Sequence, residues 1–444
     1  MLHRIADDAP LLLMHGYDLG ARVWSRVRDG ARGAPMRLLG HRAVFVRGAE
    51  GVRLFYDESR IARHGAMPRF VHETLFGHGS VHSLDGAEHR HRKATFVDVA
   101  YEDEQVRRLE PELEREWQRE LDAWLAGGGR SAYDAAVGAL GRAGMSWAGL
   151  PGSDDARTRW AARLAQIVDG FGRPFSPDFA MAAFNRLWSD RRAARLIHDV
   201  RSGMLTPRQG TALFEWAWHR GPDGRLLPER LAGIELQNSI RPLVAVARFV
   251  AFAAKRLHEN PDWRLRIHAE TARSGRLVGG PLAVAFAQEV RRTSPFVPML
   301  PGKAITEIDF DGQQVPAGGR VVIDILGTDL DDASWDDATE FRPERFSHRP
   351  DYEAIPAFIP HGGADVQTGH RCPGEKLAIA ALSAAIAALS DPRVRISPHG
   401  LEVDRRRLPA MPASGGCVHA AAARDSTAEN RRQHDETTEQ RSTS

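Results

Sequence analysis

Apolar positions recur at helical spacing through most of the middle of the chain. In ELQNSIRPLVAVARFVAFAAKR, residues 235–256, Leu236, Ile240, Leu243, Val244, Ala247, Val250 and Ala251 fall on one stripe, which predicts a single long helix. YEDEQVRRLEPELEREWQRELDAWLAG and WAARLAQIVDGFG predict further amphipathic helices, so helix dominates from about residue 85 to 260. Strand-like alternation is confined to two places. PMRLLGHRAVFVRGAEGVRLFYD (35–57) reads as short strands around a Gly turn, and KAITEIDFDGQQVPAGGRVVIDILG (303–327) as a small sheet. Residues 328–371 show no period and are punctuated by Pro and Gly; so long a loop in a compact chain is usually functional. GEKLAIAALSAAIAALS follows as an Ala-rich helix packed closely against its neighbours. After about Cys417 the chain turns polar. The expected organisation is therefore one domain over 1–416 and a disordered tail over 417–444, with no internal repeat.

Composition adds limits. The chain has 444 residues, 42% hydrophobic and 27% charged, with a formal net charge of +2, so nothing in the balance points to nucleic acid. Its two cysteines, Cys372 and Cys417, do not make a disulfide framework. No run of about 18 apolar residues predicts a membrane span. The opening MLHRIADDAPLLLMHGYDLG lacks the apolar region of a secretion signal, so a cytoplasmic protein without a membrane anchor is expected.

Three features carry chemistry. Arg241 and Pro242 stand side by side in the long apolar helix, where a proline costs about 3 kcal/mol. At ~100° per residue Arg241 lies roughly 60° from Val244, at the edge of the apolar stripe. In TGHRCPGEKLAIAAL, Cys372 sits in a tight Pro-Gly loop just before a helix. A helix N-terminus favours a thiolate, and that suits a sulfur holding one metal ion from one side. A buried structural cysteine and a catalytic nucleophile stay open on the residues alone. Finally, AFAQEVRRTSPF carries Glu289 and Arg292 at ExxR spacing, and TEFRPERF carries Arg345; one carboxylate and two guanidinium groups can form a buried network.

In this order, the long helix, the ExxR pair, the small sheet, FRPERF and the Cys-Pro-Gly loop resemble the cytochrome P-450 superfamily, over about residues 10–410. The resemblance implies a mainly α fold with small β-sheets, and haem b between the central helix and the cysteine loop. It makes Cys372 the axial thiolate ligand of the iron, with Glu289, Arg292 and Arg345 as the structural triad behind the haem. Thiolate ligation pushes electron density onto iron and favours O–O cleavage.

Two departures narrow the family. Thr368 stands where the superfamily loop has a Gly, and FIPHGGADVQTGHRCPGE is longer than usual. The acid–alcohol pair that delivers protons in the superfamily is replaced by Ile240-Arg241-Pro242-Leu243. Both departures resemble the bacterial hydrogen-peroxide-dependent fatty-acid hydroxylases and decarboxylases, as do RLLG, GAEGVRLFYD, TLFGHGSVHSLDG and HRHRK in the N-terminal half. In that branch the resemblance implies that Arg241 binds the substrate carboxylate, which then serves as the missing acid–base group, while Pro242 distorts the helix to make room. Anchoring the carboxyl end directs attack to Cα or Cβ.

The stretch HGSVHSLDGAEHRHRKATF holds His78, His82, His89 and His91, at spacings unlike a structural zinc site. By resemblance His82 lies in the distal pocket as a proton donor for alkene formation. His89 and Lys93, with Arg63 and Lys303, are the propionate-binding candidates. Phe76, Val168, Phe171, Pro295 and Phe296 are the candidate pocket lining. The expected protein is a fatty-acid peroxygenase that needs fatty acid and hydrogen peroxide but no redox partner, with terminal-alkene formation as an alternative. A reductase-dependent monooxygenase and a non-catalytic haem- or fatty-acid-binding protein are the rival readings.

Overall fold

The computed structural model describes residues 6–349 and 351–421. Helices build the larger part. Asp103–Leu125, Ala132–Trp147, Asp154–Gly170, Pro177–Arg201, Pro281–Thr293 and Glu375–Leu389 surround the central Glu229–Ala245 and share one apolar core. Close packing is built into the sequence. A Cβ at Gly141 would stand 2.1 Å from Cβ of Ala161, so only glycine lets Ala132–Trp147 lie this near Asp154–Gly170. The Ala-rich Glu375–Leu389 is buried along nearly its whole length, as expected for a helix wedged between others.

A five-stranded sheet flanks the bundle in the order Gly33–Leu38, His41–Val46, Arg320–Asp324, Met299–Ala304 and Ile61–Ala62. His41–Val46 runs parallel to Arg320–Asp324 and antiparallel to Gly33–Leu38; the remaining pairs are antiparallel. Leu39 and Gly40, both with positive φ (53° and 81°), make the two-residue turn of the first hairpin, a conformation that suits right-twisted strands.

Three expectations are corrected. The segment read as continuous short strands over 35–57 contains a helix, Gly48–Phe55, that buries Val52, Leu54 and Phe55; eight residues are too few to separate the two periods. The predicted single helix over 235–256 starts earlier and divides into Glu229–Ala245 and Ala247–Glu259. The cause is Pro242. It has no N–H to offer the carbonyl one turn back, and the chain re-forms its ladder at Val246, whose N–H reaches the carbonyls of Pro242 (3.3 Å) and Leu243 (3.2 Å). Last, the domain does not end at 416. Cys417–Ala420 pairs with Arg130–Ser131 and Val394–Ile396, with Val418 fully buried, because one apolar side chain in a short strand is enough to fix it against the core. Residues 422–444 of the expected tail lie outside the described residues. Among the described residues, no helix is long and apolar enough to cross a membrane.

Candidate active site

A cavity lies between the central helix and the cysteine loop. One wall carries Cys372, Pro373, Gly374, Leu377 and His361; the facing wall carries Val81, His82, Asn238, Pro242 and Leu243; His89, Lys93 and His370 close one end. Cys372 stands just before Glu375–Leu389, and its N–H donates to the His361 carbonyl at 3.0 Å. The helix start was expected to lower the thiol pKa. Burial instead raises it, against the opposing pull of the Gly374 N–H and of Lys93. A thiolate there would need coordination to form, since a metal deprotonates its thiol ligand outright.

The loop is anchored from behind. Arg292 donates from Nε and Nη2 to the two oxygens of Glu289, both at 2.7 Å, and also to the carbonyls of Asp329 and Ala338. Arg345 Nε lies 3.4 Å from the same carboxylate, and the Arg342 N–H donates to it at 2.8 Å. Glu289 and Arg292 are fully buried, and breaking such a pair costs about 3–5 kcal/mol. The carboxylate thus pins the irregular 328–371 stretch that leads into Cys372. Thr368 closes a turn on Asp365, whose Oδ1 accepts from the Gln367 N–H, the Thr368 N–H and the Thr368 hydroxyl.

Arg241 does not itself line the cavity; it lies behind the opposite wall, beside the lining residues Asn238 and Pro242, and is 4% exposed. Its Nη2 donates to Asn238 Oδ1 at 2.5 Å, while its Nε has no partner. Burial first, and then the nearby Arg186 charge, lower its pKa to about 9, so the guanidinium is still cationic at neutral pH. Asn238 donates in turn to Glu235 Oε2 and to the Phe76 carbonyl, both at 3.0 Å. Glu235 Oε1 accepts from the Val81 N–H at 2.7 Å, next to His82. Sequence reasoning missed Glu235 and Asn238; their spacing of three and six residues before Arg241 on one helix face was the available signal. His82 stacks on Phe76 with ring centroids 3.9 Å apart, and the Arg241 guanidinium lies 5.5 Å from that same ring. Burial, then the Arg241 charge, hold His82 well below the usual histidine range, so its imidazole is neutral.

The four histidines of the 78–91 stretch go separate ways. His78 meets Glu73, His91 meets the Arg220 carbonyl, and His89 stacks on His370 at 4.1 Å. His89 and Lys93 both reach the cavity, where Lys93 Nζ donates to the carbonyls of Gly369 (2.5 Å) and Arg371 (2.6 Å). Arg63 lies over the Phe55 ring and donates to the Phe55 carbonyl, close enough to His370 to lower its pKa. Lys303 is corrected: it is exposed on Met299–Ala304, where the strand's alternation turns it away from the buried face. Phe76 stands behind His82. Val168, Phe171, Pro295 and Phe296 do not line the cavity. They pack elsewhere in the core: Phe171 stacks on Phe296 at 5.9 Å, and the Tyr17 hydroxyl fixes the Pro295–Phe296 backbone.

Burial holds His89 and His219 near pKa 4, His361 near 3 and His370 near 2, and it also lowers His72 and His82. Unfolding returns these six to about 6.5, so below that pH the unfolded chain binds more protons. Asp324, Asp329 and Glu235 are shifted upward and oppose this, but they are three against six. The apoprotein is therefore expected to lose thermal stability between pH 7 and pH 5. Melting curves at the two values check this, and equal or higher stability at pH 5 contradicts it.

The donor set fits haem: one sulfur facing an apolar wall, with cationic and imidazole groups at one end for carboxylates. Comparison with known proteins agrees. The family profile for cytochrome P450 matches residues 271–389. Cytochrome P450 93G1 of Oryza sativa subsp. japonica is 34% identical over 116 residues, 24% of this chain and 22% of that protein, so the matched stretch spans about a fifth of that curated relative. The solved structure of cytochrome P450SP alpha (CYP152B1) in complex with (R)-ibuprophen is 35% identical, with TM-score 0.85 over 94% of this chain and 100% of that one. Ligand-free cytochrome P450 OleT is 30% identical, with TM-score 0.85 over 95% and 99%. The chain belongs to the cytochrome P450 family, in the branch of P450SP alpha and OleT, and haem b is its cofactor.

Proposed function

We propose that this enzyme is a peroxygenase that uses hydrogen peroxide to hydroxylate fatty acids at Cα or Cβ. The observation that carries this is Arg241: a buried guanidinium beside the Cys372 cavity, with one neutral partner and an unsatisfied Nε. Such a group calls for a carboxylate with two parallel hydrogen bonds. A solved structure of OleT holds arachidonic acid, a ligand with that chemistry.

Haem with a thiolate ligand supplies peroxide activation and oxygen transfer. Cys372 would hold it, and His89 and Lys93, with Arg63 behind His370, would serve its carboxylates. The chain offers no acid–alcohol pair on the central helix, only Ile240-Arg241-Pro242-Leu243. The substrate carboxylate on Arg241 takes that role: it accepts a proton from hydrogen peroxide and returns it to the oxygen that leaves as water. Asn238 and Glu235 hold Arg241 in place, and the fixed carboxyl end leaves only the nearest carbons within reach of the reaction.

The position of His82, stacked on Phe76 and coupled to the Arg241 charge, favours a second outcome, loss of the carboxyl group with a terminal alkene as product. A carboxylate on Arg241 offsets the charge that depresses His82 and makes its protonated form easier to reach.

One reaction tests both: haem-loaded protein, a saturated long-chain fatty acid and dilute hydrogen peroxide, with no reductase, analysed by gas chromatography–mass spectrometry. Hydroxy acids at Cα or Cβ are expected. Turnover only with a reductase system contradicts the peroxygenase reading, and a substrate-induced spectral shift with no product under any oxidant leaves a binding protein. His82→Gln is expected to lower the alkene share while hydroxy acids persist; an unchanged ratio removes His82 from the chemistry.

A further inference from the structure

His361 lines the cavity together with Cys372. Behind it stands Arg291, fully buried, paired with Glu375 and bonded to Gln288. Arg291 Nε and Nη2 lie 3.1 and 2.8 Å from Nδ1 of His361. A guanidinium has donors only, so Nδ1 accepts and the ring proton sits on Nε2. The Nδ1 edge is turned to a group sealed in the core. The opposite edge, with its Nε2–H, is therefore the part of His361 that reaches the cavity. The same residue's carbonyl accepts the Cys372 N–H at 3.0 Å, which ties ring and sulfur to one stretch of loop. With Nδ1 taken by Arg291, the Nε2–H, polarised by a buried guanidinium, is the ring's remaining donor toward the cavity that Cys372 also lines.

We propose that His361 is a positioning residue that acts through Cys372: its Nε2–H draws electron density from the thiolate and raises the reduction potential of the haem iron. Donors around a metal-bound sulfur are one of the levers by which a protein sets such a potential. Arg291 acts at one remove, by fixing the tautomer and strengthening the dipole. The inference goes beyond the substrate reading, because the potential is defined without fatty acid or peroxide.

The test is a spectroelectrochemical titration of substrate-free, haem-loaded wild type, His361→Gln and His361→Phe. Glutamine can do both jobs, its carbonyl accepting from Arg291 and its amide donating into the cavity; phenylalanine keeps the bulk and does neither. In His361→Phe the ferric–ferrous equilibrium is expected to move about tenfold toward ferric (about 59 mV for one electron), with His361→Gln within roughly threefold of wild type. His361→Leu is a second apolar variant, read in the same way should the phenylalanine not load haem. A merely structural role for the ring would move glutamine and the apolar variants alike. The proposal is overturned if the apolar variants keep the wild-type potential, or if glutamine falls as far as they do.

Discussion

Cys372→Ala is expected to yield a folded chain with no thiolate-ligated haem and no peroxide-driven product. The cavity offers one sulfur, and the groups at its far end are suited to carboxylates. Without Cys372 the haem loses its axial bond and the electron donation that favours O–O cleavage. Folding is expected to survive, because the elements that hold the loop do not depend on the sulfur: Glu289–Arg292 and Arg371–Glu375 are protein-only ion pairs. The holoenzyme's melting temperature should fall toward that of the apoprotein, since a bound cofactor stabilises the folded state by mass action. Cys417→Ala is the matched control. That thiol is half-buried on the central strand of the three-stranded sheet, where its sulfur meets the Ser414 carbonyl, so haem loading and turnover should be unchanged. Measuring haem content, the ferrous–carbon monoxide spectrum and the melting temperature of both variants separates ligand from bystander. A thiolate-type spectrum in Cys372→Ala defeats the assignment.

The parts of the site legible in the sequence were those whose partners sit nearby in the chain or whose residue type is costly in its place. Glu289 and Arg292 announce themselves at one helical turn, and Cys372 by its position before an apolar helix. Arg241-Pro242 stands out because neither residue belongs in a buried helix without a reason. What stayed hidden depended on distance. Arg291 meets His361 across seventy residues, so nothing near either one marks the pair. The break at Val246 falls four residues after its cause, as the missing proline N–H is absorbed over the following turn. Glu235 and Asn238 look like polar exceptions on an apolar helix until the turn at Val81 is seen to rest on them. The pocket lining was the weakest expectation. Val168, Phe171, Pro295 and Phe296 have the right chemistry, but an apolar side chain carries no sign of whether it faces a cavity or another side chain.

Arg241→Ala is expected to weaken fatty-acid binding and turnover by tens- to thousands-fold while leaving the fold at least as stable as before. Truncating one partner of a buried, hydrogen-bonded charge pair costs about 2–5 kcal/mol, which is tens- to thousands-fold in kcat/KM at about 1.4 kcal/mol per tenfold. The substrate carboxylate would lose its anchor and, with it, the geometry that lets it relay a proton, so hydroxylation should fall by that factor and lose its preference for Cα or Cβ. Stability should move the other way. Free of substrate, the guanidinium is hydrogen-bonded to one neutral amide, with Nε unsatisfied; burial, then the Arg186 charge, outweigh the opposing pull of Asp190 and Glu235, so the buried charge costs the folded state and its pKa is depressed. Removing it lifts that cost, as is common where a site is strained toward its ligand. Arg241→Lys should recover little, because an ammonium cannot present two parallel N–H bonds to one carboxylate. Titrating a saturated fatty acid against the haem spectrum gives affinity, and a melting curve of each variant gives stability. A structural arginine would lose both together. Wild-type affinity and regiochemistry in Arg241→Ala would end the anchoring mechanism, whereas lost binding in a chain that melts no earlier would place the guanidinium where the substrate's charge must go.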